Sequence, residues 1–163
     1  MMRLPMLLVA LAVTLPVGGS QDIMKPKYSM LPTPPEPDLS MVPEQYRQII
    51  ASAATAAGIP ARTLAGIAWA ESSFMSAPAH RDPLDRGMFG LREAPGYHEE
   101  RARLYGEYDA EDPEQAARVA AGVLADHLAR FGCMPSAISA YHRGAGWVET
   151  NGIDWEYVAR ATL

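Results

Sequence analysis

From Pro43 onward the apolar residues of the chain recur at helical spacing. Tyr46, Ile49, Ile50, Ala53 and Ala57 line one face and Gly58 follows as a stop signal, which predicts a first helix. Pro60 suits the first position of a second helix, in which Leu64, Ile67, Ala68 and Glu71 share a face. Between Ser72 and Gly96 the period is lost. Pro78, Pro83, Gly87, Gly90 and Pro95 punctuate a segment with room for short strands or turns. A short helix is expected over residues 97–105. The clearest helix starts at Asp112, with Asp112 as cap, Pro113 in the first turn and Gln115 as capping-box partner. Its apolar face runs through Ala116, Val119, Ala120, Val123, Leu124, Leu128 and Phe131, and Gly132 closes it. Two shorter helices, residues 135–141 and 154–161, are expected on either side of a glycine loop formed by Gly144, Ala145 and Gly146. The pattern therefore predicts a mainly α domain of α+β type, helical with a small irregular or short-stranded lobe after the second helix.

The residues before Pro43 read differently. Residues 1–20 carry Arg3, an apolar run over residues 4–17 and the small residues Gly18, Gly19 and Ser20, the layout of a secretory signal peptide. That run is broken by Pro5 and Pro16 and is shorter than the roughly 20 residues that span a bilayer. Residues 21–42 contain Pro26, Pro32, Pro34, Pro35 and Pro37, which lack the backbone donors of regular structure, so this stretch reads as an extended linker. The expected organisation is a signal peptide over 1–20, a linker over 21–42 and one domain over 43–163, exported to the periplasm or secreted.

Composition narrows the classes of function. Without residues 1–20 the chain keeps 13 Lys and Arg against 19 Asp and Glu, a net charge of −6. The only lysines, Lys25 and Lys27, sit in the linker, so the basic surface that nucleic-acid binding needs is missing. Cys133 is the single cysteine, which rules out an intramolecular disulfide and reads as an inert, partly buried thiol. His98, Glu99 and Glu100 start like a zinc-protease helix, but Ala102 stands where the second histidine would be, so a surface helix face is the better reading. His80, His127 and His142 are scattered, and His127 reads as a core histidine. No metal or cofactor is expected.

Glu71 is the residue out of place, because it continues an apolar stripe. If it is buried, desolvation and the negative end of its own helix both disfavour the carboxylate and raise its pKa. A carboxyl protonated near neutrality is a general acid of the kind glycoside cleavage uses. If the helix ends earlier, Glu71 is an exposed helix-end residue. The pattern alone leaves both readings open.

The segments AWAESSF at 68–74, RGMFGLR at 86–92 and SAYHRGAG at 139–146 resemble, in order and approximate spacing, the soluble lytic transglycosylase family. That family is related in fold to goose-type lysozyme, and the likeness covers about residues 44–150. The resemblance implies a lysozyme-like domain acting on peptidoglycan glycan strands, with Glu71 as the single catalytic acid and base. It further implies that Glu71 protonates the oxygen between N-acetylmuramic acid and N-acetylglucosamine. Glu71 then takes the proton of the muramoyl C6 hydroxyl, and a 1,6-anhydro ring closes. Ser72, Gly87, Phe89 and Tyr141 are carried over as substrate-binding positions, with Tyr141 expected to hydrogen-bond near Glu71 or the sugar. Trp147 is the tryptophan expected to stack on sugar.

The motifs also depart from the family. Gly90 replaces the usual Gln of the glycine turn, His142 replaces the Asn after the tyrosine, and Arg143 replaces a small residue, so substrate contacts at Gly90, His142 and Arg143 are partly rewired. Arg92 or Arg143 is a candidate for meeting a lactyl or peptide-stem carboxylate. Two competing readings stand beside the lytic transglycosylase. One is a hydrolytic muramidase with Asp82 or Asp85 as second carboxylate. The other is a catalytically weak peptidoglycan-binding or assembly protein. Short members of the family serve envelope-spanning secretion, conjugation or flagellar machinery, or a phage, and the resemblance permits such a partner for an otherwise monomeric chain.

Overall fold

The structure is a computed structural model that describes residues 38–162. The signal-peptide reading and residues 21–37 of the expected linker lie outside the described residues. The last linker residues belong to the packed domain: Val42 is 1% exposed in the core and Leu39 packs against it.

Among the described residues, seven helices and one small hairpin follow in chain order: α1 Glu44–Ala57, α2 Ala61–Ser72, β1 Asp85–Arg86, β2 Leu91–Arg92, α3 Tyr97–Tyr105, α4 Pro113–Phe131, α5 Met134–Arg143, α6 Ala145–Asn151 and α7 Trp155–Arg160. The strands are antiparallel, with Asp85 opposite Arg92 and Arg86 opposite Leu91. They form the small lobe expected after the second helix. α1 ends on Gly58 in the left-handed region, as its stop signal implies. Pro60 stands one position earlier than expected, as the N-cap of α2.

α4 forms one wall of the core, packing against α1 and α5. Asp112 Oδ1 accepts the backbone N–H groups of Glu114 and Gln115 at 3.0 and 2.9 Å. The expected reciprocal half of that capping box is absent, because Gln115 Oε1 accepts the N–H of Asp109 instead. α3 leans on α4 through the Tyr105 ring, whose carbon atoms would lie 2.7 Å from a Cβ at Gly122. Residues 145 and 146, expected in a loop, are helical in α6. That helix is held on α5 by buried Val148, and Thr150 Oγ1 and Asn151 Nδ2 donate to the carbonyls of Gly146 and Trp147. The glycine the bend requires is Gly144 alone, at φ 83° and ψ 151°, a region closed to side-chain-bearing residues.

α2 is the most enclosed helix. Leu64, Ala65, Ile67 and Ala68 are fully buried, and each large aliphatic among them contributes roughly 1.5–3 kcal/mol through burial. Gly66 meets the end of α7 so closely that a Cβ there would lie 1.8 Å from the Ala161 carbonyl oxygen. Gly66→Ala is therefore expected to force α2 and α7 apart and to cost about 1–3 kcal/mol. Chemical denaturation of the two proteins measures it, and an unchanged midpoint would show that α7 is not clamped there.

Candidate active site

Glu71 occupies the last turn of α2, where the backbone changes course. Ser73 and Phe74 follow with φ of 52° and 64°, left-handed values uncommon for residues with side chains, and buried Phe74 anchors the turn. This bend leaves Glu71 at the edge of the core, its side chain 18% exposed. Tyr157 Oη, on α7, donates a short hydrogen bond to Glu71 Oε1. Gly90 closes on the other oxygen: at its φ of 59° a Cβ would come within 2.5 Å of Glu71 Oε2. His142 Nδ1 lies 3.9 Å from Oε1, and its ring stacks on Tyr157 at 4.0 Å and 4°.

The electrostatics follow from burial. Desolvation dominates and raises the Glu71 pKa, while the Tyr157 hydrogen bond works against it by favouring the carboxylate. Tyr157, 2% exposed, has its own pKa pushed well above the usual value, first by desolvation, so it remains a donor. His142 is shifted down, by desolvation and then by Arg143.

Glu71 stands where two grooves meet. One, of about 840 Å³, runs past Tyr97, Tyr105, Val123, Tyr141 and Trp147. The other, of about 790 Å³, runs past His80, Arg81, Asp82, Tyr157 and Arg160. Glu71, Asp85, His142 and Arg143 border both. A long ligand laid through the two grooves would thus pass a desolvated carboxyl at the middle of its path. Residues 48–154 match the Transglycosylase SLT domain family. The chain belongs to that family. The mostly helical architecture with one two-stranded sheet is that of a lysozyme-like SLT domain, whose general function is transglycosylase-type action on peptidoglycan. No curated protein matches the sequence.

Within this SLT domain the expected site residues separate into two groups. Glu71, Gly90, Tyr141, His142, Arg143 and Trp147 all border the first groove. Ser72, Gly87 and Phe89 do not. Ser72 is 5% exposed and its Oγ donates to the Ala68 carbonyl at 3.0 Å, the back-bonding that suits a hydroxyl inside a helix. Gly87 is needed for packing, since a Cβ would lie 1.6 Å from the Ala110 carbonyl oxygen. Phe89 is fully buried in the core. Its carbonyl accepts from Tyr141 Oη at 2.8 Å, so Tyr141 holds the glycine turn in place rather than bonding Glu71.

The partner of Glu71 is Tyr157, a residue no motif pointed to and one that lies beyond the matched span. It reaches the site through Asp154. The Asp154 N–H donates to buried Ser139 Oγ at 2.8 Å, and its carboxylate accepts the Tyr157 N–H at 3.1 Å and Arg143 Nε at 2.8 Å. The Arg143 contact is the first cause holding the Asp154 carboxyl below its usual range. The sequence signal was an aspartate opening a short helix, which predicts the cap but not what the helix presents.

Other expectations change in three dimensions. Arg92 already contacts Asp82 at 2.8 Å and Asp85 at 3.2 Å, and Arg143 contacts Asp154, so both candidate carboxylate-binding arginines have carboxylates of this chain as partners. The same contacts occupy Asp82 and Asp85, the candidate second carboxylates. Trp69, Trp147 and Trp155 are all surface residues at 42%, 36% and 63% exposure, and Trp147 alone borders the groove. His127 is in the groove wall rather than the core, and Cys133 is exposed rather than partly buried. His98 pairs with Glu93 at 2.6 Å and stacks on Tyr108.

The raised pKa of Glu71 has a consequence for stability. A carboxyl whose pKa is higher folded than unfolded stabilises the fold fully below the unfolded value, near 4.5, and that contribution is lost as pH rises through the folded value. Glu71→Gln, which keeps an acceptor for Tyr157, is expected to unfold at a higher temperature than wild type at neutral pH. The difference should shrink as pH falls through the raised folded value and level off below 4.5. Melting curves of both proteins across pH test this, and a pH-independent difference would contradict a desolvated Glu71.

Proposed function

We propose that this SLT domain is a peptidoglycan lytic transglycosylase that cleaves the bond between N-acetylmuramic acid and N-acetylglucosamine and leaves a 1,6-anhydromuramoyl end. The observation that carries this reading is the Glu71 carboxyl, desolvated at the junction of two grooves and held by Tyr157. A glycan strand lies through both grooves, with the scissile oxygen beside Glu71. The protonated carboxyl gives its proton to the leaving oxygen of N-acetylglucosamine as the glycosidic bond breaks. Tyr157 Oη, still protonated, then supports the new carboxylate. That carboxylate removes the proton of the muramoyl C6 hydroxyl, whose oxygen bonds the anomeric carbon, and Glu71 is protonated again.

The hydrolytic muramidase remains the second reading, because Asp85 borders both grooves with Glu71. Against it, Asp85 Oδ1 already accepts from Arg92. A binding protein without activity is a poorer fit to a carboxyl so placed. The extent of residues 1–20 and their apolar run support export to the periplasm or the medium, where a monomer of this kind opens the wall locally for a secretion, conjugation or flagellar machine.

Digestion of purified peptidoglycan tests the reaction. Wild type is expected to release 1,6-anhydro products, and Glu71→Gln to lose about 10²–10⁴-fold in rate, the usual worth of a general acid–base group. Asp85→Asn is expected to keep the anhydro product; reducing ends from wild type that vanish in Asp85→Asn would establish hydrolysis instead. Tyr157→Phe removes the contact that favours the Glu71 carboxylate. Its rate should therefore persist to higher pH than that of wild type, and a limb at unchanged pH would separate Tyr157 from the proton chemistry.

A further inference from the structure

His142 stands where the family usually carries an asparagine, and the structure puts its imidazole against the reacting carboxyl. Nδ1 is 3.9 Å from Glu71 Oε1, the oxygen that also accepts from Tyr157. The ring lies flat on Tyr157, 4.0 Å away and 4° from parallel, so it is fixed in orientation by the same side chain that fixes Glu71. It is 29% exposed, partly desolvated yet open to both grooves. No other histidine shares these contacts with Glu71 among the described residues: His80 bonds the Gly87 carbonyl and, like Arg160, favours the Glu71 carboxylate only through space, while His98 bonds Glu93 and His127 packs beside Phe131.

We propose that His142 is a positioning residue that shares one dissociable proton with Glu71, so that the pair and not the carboxyl alone sets when the acid is charged for catalysis. This rests on the reading of Glu71 as the catalytic acid. With one proton between them the pair has two arrangements. In the first, Glu71 is protonated and His142 neutral, and the acid can protonate the leaving oxygen. In the second, the proton sits on His142 and an ion pair forms across 3.9 Å, leaving Glu71 without its proton.

Burial of both groups favours the neutral arrangement, and Coulomb attraction favours the ion pair. The charged and titratable groups around His142 divide by sign. Arg143 on α5 and Arg160 on α7 disfavour its cation. Asp85 on β1, Asp154 ahead of α7 and the Glu71 carboxylate on α2 favour it, while Tyr157 contributes a neutral face. An asparagine at this position could hold no proton, and Glu71 would titrate alone.

Two measurements test the pair. In the first, the rate of anhydro product release is followed against pH for wild type, His142→Phe and His142→Gln. The phenylalanine keeps a ring on Tyr157 and the glutamine keeps polarity, but neither binds a proton. Both are expected to move the alkaline limb to lower pH and to raise the plateau rate, because the ion-paired arrangement, which retains the shared proton without delivering it, is gone. If His142→Phe keeps the wild-type limb, His142 is a packing residue and the proposal fails.

The second measurement needs no activity. The imidazole Cε1–H signal of His142, assigned by its loss in His142→Phe, is titrated by NMR in wild type and in Glu71→Gln. Its midpoint is expected to fall in Glu71→Gln, which removes the carboxylate that stabilises the cation. An identical midpoint in the two proteins overturns the shared proton. A coupled titration in a protein that releases no glycan would sink the enzymatic reading while leaving the pairing itself established.

Discussion

Desolvation of one carboxyl is the constraint around which this domain is arranged. Glu71 follows three turns of α2 whose inward side chains are fully buried, so its position at the rim of the core is inherited from the packing of Leu64, Ile67 and Ala68. Water can be kept from it only if neighbouring backbone comes close. Gly90 supplies that approach on one oxygen and Tyr157 covers the other. A side chain at Gly90 would collide with the carboxyl, so the glycine that departs from the family's usual glutamine is tied to the conformation Glu71 adopts here.

The cover over Glu71 is itself built in layers. Buried Ser139 on α5 takes the Asp154 N–H, Asp154 caps α7, and α7 delivers Tyr157. Gly66 permits the far end of α7 to seat against α2, which brings both partners of the hydrogen bond to the same place from two elements. Arg143 and Tyr141, which motif resemblance placed at the substrate, act within this scaffold: Arg143 neutralises Asp154, and Tyr141 holds the glycine turn by the Phe89 carbonyl. Residues can border a groove and still be engaged in holding its walls.

Local chemistry made much of the fold legible. The helix over Tyr97–Tyr105, the Asp112 cap and the Gly58 and Gly132 stops are all properties of a few adjacent residues, so they survive reading without tertiary information. The errors fall where neighbours in space decide. Gly146 looked like loop and is helical, because side chains and α5 support α6. His127 looked like core and borders the groove, because its helix face turns toward a cleft that no single segment encodes.

By itself, the sequence determined a mainly helical domain, singled out Glu71 as an anomaly on an apolar face, and carried the motifs that place the chain in the SLT family. It left open whether Glu71 was buried. Only the tertiary structure decided that, because burial depends on Gly90, His142 and Tyr157 converging from separate elements, and Tyr157 lies 86 residues away along the chain. Periodicity and caps report which face of a helix is apolar. They carry no record of what the opposite wall presents, and the proton affinity of a carboxyl is set by that wall.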